Sequence, residues 1–128
     1  MTTVPFVIPR RKAVWLLGIS LSINLAIILV FHADAGPGLF ILNAIPVLIA
    51  SYAFGTLVGV AAAVFFLPAD MFVSGLVGWC PMDVVLTIGG SFGHGMFLIV
   101  AIAVGRLRYM SLDLVRALGD RDQIAKDL

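Results

Sequence analysis

Between Ala13 and Gly105 the sequence has no lysine and no arginine. A soluble domain carries charge on about a quarter of its residues, whereas here 12% are charged and 62% are hydrophobic. That scarcity excludes an ordinary water-soluble globule. It also excludes nucleic-acid recognition, which needs a contiguous basic face: the net charge is only +1, and the basic residues fall in Arg10-Arg11-Lys12 and at or beyond Arg106. Cysteine is nearly absent as well. Cys80 stands alone, so no internal disulfide can form, and it has no Cys or His partner at metal-ligand spacing. It reads as a small apolar residue near a helix end.

The usual signatures of catalysis are missing too. There is no phosphate-binding glycine loop, no His-x-x-x-His, no paired carboxylate inside an apolar run, and no Ser or Cys nucleophile beside a base at a known spacing. A non-enzymatic protein without a cofactor is expected.

What the sequence does have is long apolar runs. Ala13 to Phe31 approaches the ~20 residues that cross a hydrocarbon core of ~30 Å. Arg10-Arg11-Lys12 and Ala33-Asp34-Ala35 also have the form of a signal peptide's basic start and cleavage site, but the run exceeds the usual h-region of about 7 to 15 residues and more spans follow. A turn at 32–38 leads to a second span from about Leu39 to Phe54, which Pro46 is expected to kink, as a fixed bend or a moving hinge. Gly55 marks the turn of a tight helical hairpin into span three, from about Leu57 to Leu67 or a turn beyond. Pro68 and Asp70 leave that end open, and Met71 to Val77 either continues the helix or lies in the interface. Trp79 to Asp83 reads as an interfacial loop, and Val84 to Gly105 as the fourth span. Trp15, Tyr52, Trp79 and Tyr109 fall near predicted interfaces and read as anchors.

The expected fold is all-α: a polytopic membrane protein with four transmembrane helices over residues 1–105 and a cytoplasmic amphipathic helix over 106–128. The basic residues flank the start of the first span and the end of the last, which places both termini in the cytoplasm of a multi-pass cell-membrane protein. Positions 107, 110, 114, 117, 121, 124 and 128 of the tail read Leu, Met, Leu, Ala, Arg, Ile, Leu, broken only by Arg121. This heptad spacing favours a coiled-coil seam and hence a homodimer, with an amphipathic helix lying on the bilayer surface as the alternative. Arg116 with Asp120 and Asp122 with Lys126 are i,i+4 pairs that support a helix, while Gly119 could end or bend it.

Few polar side chains interrupt the spans. His94 is the candidate intramembrane site, because an ionisable group at mid-span faces a bundle interior or a water-filled cavity. It is expected either as a neutral ring hydrogen-bonded across a helix contact, to Asn24 or Asn43, or in a proton-linked or ligand-sensing role. Asn24 and Asn43 read as interhelical hydrogen-bond glue. Around His94, Gly89 with Gly93 and Ser91 with Gly95 stand at i,i+4 and are expected to let a neighbouring helix approach closely.

The run Ala44-Ile45-Pro46-Val47-Leu48-Ile49-Ala50-Ser51-Tyr52-Ala53-Phe54-Gly55, and the tail from Asp113 to Leu128, resemble the multi-span sensor regions of membrane histidine kinases and the helical linkers that follow them. The resemblance implies a signal-input module. The family's phosphoacceptor histidine and ATP-binding domain have no counterpart in this sequence, which implies either a truncated or split gene or a stand-alone regulator acting on a separate output protein. A small transporter or channel subunit with His94 and Asn24 lining its pathway, or a structural accessory subunit, are the alternatives.

Overall fold

The computed structural model describes residues 8–80, 82 and 88–127, without the side chains of Ala35, Pro37, 88–91, Asp122, Lys126 and Asp127. Val84, Pro81, Asp83 and Leu128, which enter the expected fourth span, loop and tail, lie outside the described residues. The chain forms helix α1 (Arg10–Ala35), a 3-10 helix η1 (Gly36–Asn43), α2 (Ala44–Phe54), α3 (Thr56–Leu76) and α4 (Ile88–Asp127). No strand occurs among the described residues.

The first helix runs into the expected turn, as far as Ala35. His32 holds the last turn through a contact of Nδ1 with the Leu29 carbonyl oxygen at 2.8 Å, and the helix stops only where Gly36 takes a positive φ of 61°. The chain then continues in 3-10 form, so the polar turn and the start of the second span are one short helix. Pro46 accordingly has a different role from the expected kink. It is the third residue of α2, where its missing N–H is one of the four that a helix start leaves unpaired anyway. The change of winding lies at Asn43, ahead of the proline. The proline that is inside a helix is Pro68. It and Val64, whose carbonyl it leaves without a helical donor, are both exposed, and α3 passes through to Leu76, so that Met71 to Leu76 continues the helix.

Contacts fix the direction of each element. Ile28 packs on Phe40 while Asn24 meets Asn43, so α1 and η1 run antiparallel. Ser51 lies against Gly59 and Val47 packs with Ala63, so α2 and α3 form an antiparallel hairpin. Gly55 is its one-residue turn, with φ 102°. A Cβ there would also fall 3.1 Å from Arg108 Nη1 and 3.2 Å from the Tyr109 hydroxyl, so glycine serves both the backbone angle and the approach of α4. Along α3 and α4, Thr56 meets Gly105 and Phe66 packs with Phe97, again antiparallel. The bundle alternates direction, which puts Arg10, Arg11, Lys12, Arg106 and Arg108 at one end.

Two of the helices, over Arg10–Asp34 and Thr56–Leu76, are long and apolar enough to cross a membrane. Only 11% of the most apolar stretch of the first is buried in the fold, and 22% of the second. Leu57 at 83% exposed and Phe65 at 68% typify the outward face. Soluble monomers rarely expose such contiguous apolar surface, and a core helix would be mostly buried. The described part of the tail is helical: α4 passes Gly119 without a break and is described to Asp127. Arg116 turns to Asp113 at 3.7 Å, an exposed pair of small energetic value.

Among the described residues, close helix approaches fall at Gly59 and Gly105 and not at Gly93 or Gly95. A Cβ on Gly93 or Gly95 would meet nothing within 4 Å, whereas one on Gly59 would lie 2.9 Å from Ser51 Cα and one on Gly105 would lie 2.6 Å from Thr56 Cα. The side chains around Gly89 and Ser91 lie outside the description. Alanine at Gly59 or Gly105 should therefore lower stability by about 1–3 kcal/mol through overpacking. At Gly93 it should be neutral or raise stability by up to about 1 kcal/mol through helix propensity. Thermal unfolding of the three variants in detergent reads this opposition of sign.

Candidate functional site

Four polar side chains from four elements meet in a buried line. Asn24 of α1 donates from Nδ2 to Asn43 Oδ1 at the junction of η1 and α2. Asn43 Nδ2 donates to Asp70 Oδ1 of α3 at 2.6 Å. His94 Nε2 of α4 lies 3.1 Å from Asp70 Oδ2. Asn24, Asn43 and Asp70 are 6%, 2% and 3% exposed, and the His94 side chain 11%.

Helix periodicity explains why these four converge. Phe40 and Val47 flank Asn43 one turn away on each side, and Phe66 and Val73 flank Asp70 in the same way. Phe66 and Val47 belong to one apolar cluster, completed by Ala63, Phe97 and Ala101. Phe40 and Val73 belong to a second, with Ile28 and Trp79. The polar line is thus clamped between two apolar layers. The His94 ring meets Phe97 edge-on at 5.4 Å, and Trp79 closes the second layer edge-on to Phe40 at 5.9 Å and to His32 at 6.1 Å. Trp79, expected in an interfacial loop, therefore also packs inside the bundle.

The hydrogen-bond roles follow from Asp70. A carboxylate only accepts, so Asn43 must turn its amide nitrogen to it and present its oxygen to Asn24. Asn24 must then donate, which leaves its own Oδ1 without a partner in a buried position. Beside it, between α1 and α3, opens a cavity of about 190 Å³ floored by Asn24, Asn43 and Asp70. Among the described residues α1 packs on η1 and α2 and leaves a cleft toward α3.

The structure thus brings together Asn24, Asn43 and His94, but the link to the histidine is Asp70. Sequence reading placed Asp70 at a span end, beside Pro68; a carboxylate one turn from Phe66 and Val73 on a continuing helix was the signal available. Gly55 lies away from this line, just past the end of α2, and Pro46 is buried one turn after Asn43 at the start of α2. Among the described residues no three His, Cys, Asp or Glu side chains gather as metal ligands. Chemically the line can pass a proton between His94 and Asp70 or reorient its amides. Neither a family model, nor a curated protein, nor a solved structure matches this chain.

Removing the central acceptor should cost more than removing the end of the line. Asp70→Leu takes the acceptor from both Asn43 and His94, at about 1–3 kcal/mol for each buried donor left unmatched, whereas Asn24→Leu leaves only the Asn43 oxygen unmet. Melting temperatures in detergent should fall in that order, and equal losses would show that Asp70 is not the hub.

Proposed function

We infer that this chain is a membrane-embedded signal-input module without catalytic activity, in which four helices cross the bilayer with both termini in the cytoplasm. Two helices meet the length and hydropathy of a span directly. For the second span, η1 and α2 supply about 32 Å together, from ~2 Å per residue in 3-10 form and ~1.5 Å in α form. That matches a hydrocarbon core of ~30 Å. For the fourth, α4 has 40 residues and is about 60 Å long, twice what a span needs. The gathering of all membrane-flanking basic residues at one end of the bundle supports the orientation, and the bond from Asn24 to Asn43 supports α1 as a retained span rather than a cleaved leader.

The observation that carries the signalling reading is the continuity of α4. One helix holds His94 in the buried line at one end and, at the other, presents Leu107, Met110, Leu114 and Ile124 exposed along a heptad stripe. A change at the buried line moves the stripe, and two stripes from two copies make the coiled-coil seam that would engage a separate output protein. With Cys80 replaced by serine, single cysteines at Leu114→Cys and Ile124→Cys should give dimers in native membranes with a short bis-maleimide. Arg116→Cys, on the outer face, should give far fewer. No adduct at either seam position would remove the dimer and with it this output.

The His94–Asp70 pair favours one second reading, a proton-linked transporter or channel subunit. In that case the purified chain in liposomes should carry a flux that His94→Ala abolishes, and liposomes that stay inert under imposed proton and ion gradients would dismiss it.

A further inference from the structure

We propose that the basic end of the bundle binds the negatively charged headgroups of anionic phospholipids, in the leaflet that faces the two termini. Five cations lie there at one level. Asn24 of α1 is bonded to Asn43; from that bond Lys12 lies about 18 Å back along α1, and Gly55 about 18 Å forward along α2. Arg108 Nη1 covers Gly55. Arg10, Arg11 and Lys12 therefore stand level with Arg106 and Arg108, with α2, which packs on both α1 and α4, between them. Arg10, Arg11, Lys12 and Arg106 are exposed and Arg108 is half-buried.

Among the described residues none of the five has an ion-pair partner. Along α1 the first acid is Asp34, at the opposite end of the bundle. Past Arg106 the first is Asp113, about 10 Å further along α4 and turned to Arg116. In the first turn of α1 the three cations have the sign that its dipole disfavours, with no acid among them; headgroup phosphates alongside remove that repulsion. Exposed aromatics mark the level as that of headgroups: Trp15 is 66% exposed and Tyr109 54%, and such side chains settle where hydrocarbon meets headgroup. An acidic protein would have to displace lipid to reach cations at that level, whereas a headgroup is already there. A basic cluster of this size beside a span attracts anionic lipid. Arg106 and Arg108 bracket Leu107, the first residue of the heptad stripe, so the headgroups also set the depth at which the stripe leaves the bilayer. The inference rests on the reading that both termini lie on one side of a membrane.

The test uses the full chain in phosphatidylcholine bilayers with a trace of phosphatidylglycerol or phosphatidylcholine, each spin-labelled near the end of one acyl chain. Electron paramagnetic resonance separates lipid slowed at the protein surface from free lipid, and the two labels together give the ratio of their affinities. At low salt the ratio should favour phosphatidylglycerol about three- to fivefold, the attraction of about one cation per lipid. In about 1 M NaCl, where charges are screened beyond about 3 Å, it should fall to about one. Sodium phosphate should act only as sodium chloride of the same ionic strength does; a greater loss would overturn the proposal in favour of a free phosphate anion. The triple change Arg10→Gln, Arg11→Gln, Lys12→Gln and the double change Arg106→Gln, Arg108→Gln should each lower the ratio. Arg10→Lys, Arg11→Lys, Arg106→Lys and Arg108→Lys together should keep it. The amount of slowed phosphatidylcholine, set by the perimeter of the bundle, should be the same in every variant. Equal affinities with slowed lipid present, or a ratio unchanged in either glutamine variant, would overturn the proposal and leave the membrane-spanning reading standing. Absence of slowed lipid with both labels would overturn the two together.

Discussion

The Asp70 carboxylate is the constraint around which the bundle is arranged. At 3% exposure between two apolar layers, it is tolerable only if donors meet both of its oxygens. Asn43 and His94 stand at those oxygens, and they come from the η1/α2 junction and from α4. One side chain therefore fixes three elements at one depth. The choice of 3-10 winding before α2 fits the same demand. It delivers Asn43 at a helix start, where it can face α3 and α1 together, and it moves the irregular backbone off Pro46.

Glycine does at the basic end of the bundle what hydrogen bonds do deeper in. Gly59 brings α2 and α3 together across Ser51, and Gly105 brings α4 onto Thr56. Arg108 and Tyr109 then cover the Gly55 turn. From Thr56 to Asp70 along α3 is about 21 Å, and from Gly105 to His94 along α4 about 16 Å. The three helices are therefore held at two widely separated levels. Among the described residues the first helix packs on η1 and α2, with Ala13 buried near its start, and not on α3. It is joined by Asn24 and by the packing of Ile28 on Phe40, and that is why the cleft lies on its side.

Much of this was legible in the sequence, and the failures have physical causes. Asn24, Asn43 and His94 stood out because each interrupts an apolar run, and a polar group in such a run needs a partner. Asp70 was passed over because Pro68 reads as a stop signal. Yet α3 continues through Pro68 to Leu76, with Pro68 and Val64 both on its outer face. Of the small-residue pattern expected to allow a close approach near His94, the described positions Gly93 and Gly95 meet no neighbour, because spacing reports only that an approach is possible. Which glycines are used depends on the hairpin at Gly55, which sets Gly59 against Ser51 and Thr56 against Gly105. The 3-10 winding of 39–42 left no trace in hydropathy, since Leu39-Phe40-Ile41-Leu42 is as apolar as the helix that follows.

In the signalling reading these two levels of attachment give α4 a mechanical asymmetry. The contact of Gly105 with Thr56 is backbone-tight and cannot yield by rotamer changes, so it serves as the pivot. His94 lies about 16 Å to one side of it and Ile124 about 28 Å to the other. A rigid helix tilting about that point moves Ile124 nearly twice as far as His94. A displacement of about 1 Å at the buried pair, the scale on which packed helices shift, becomes nearly 2 Å at the heptad stripe, a large fraction of the fit of one knob into its hole. The seam need not be remade by a signal of that size; it needs only to be favoured or disfavoured, and a polar line whose partners are all named by one carboxylate is suited to having two such positions.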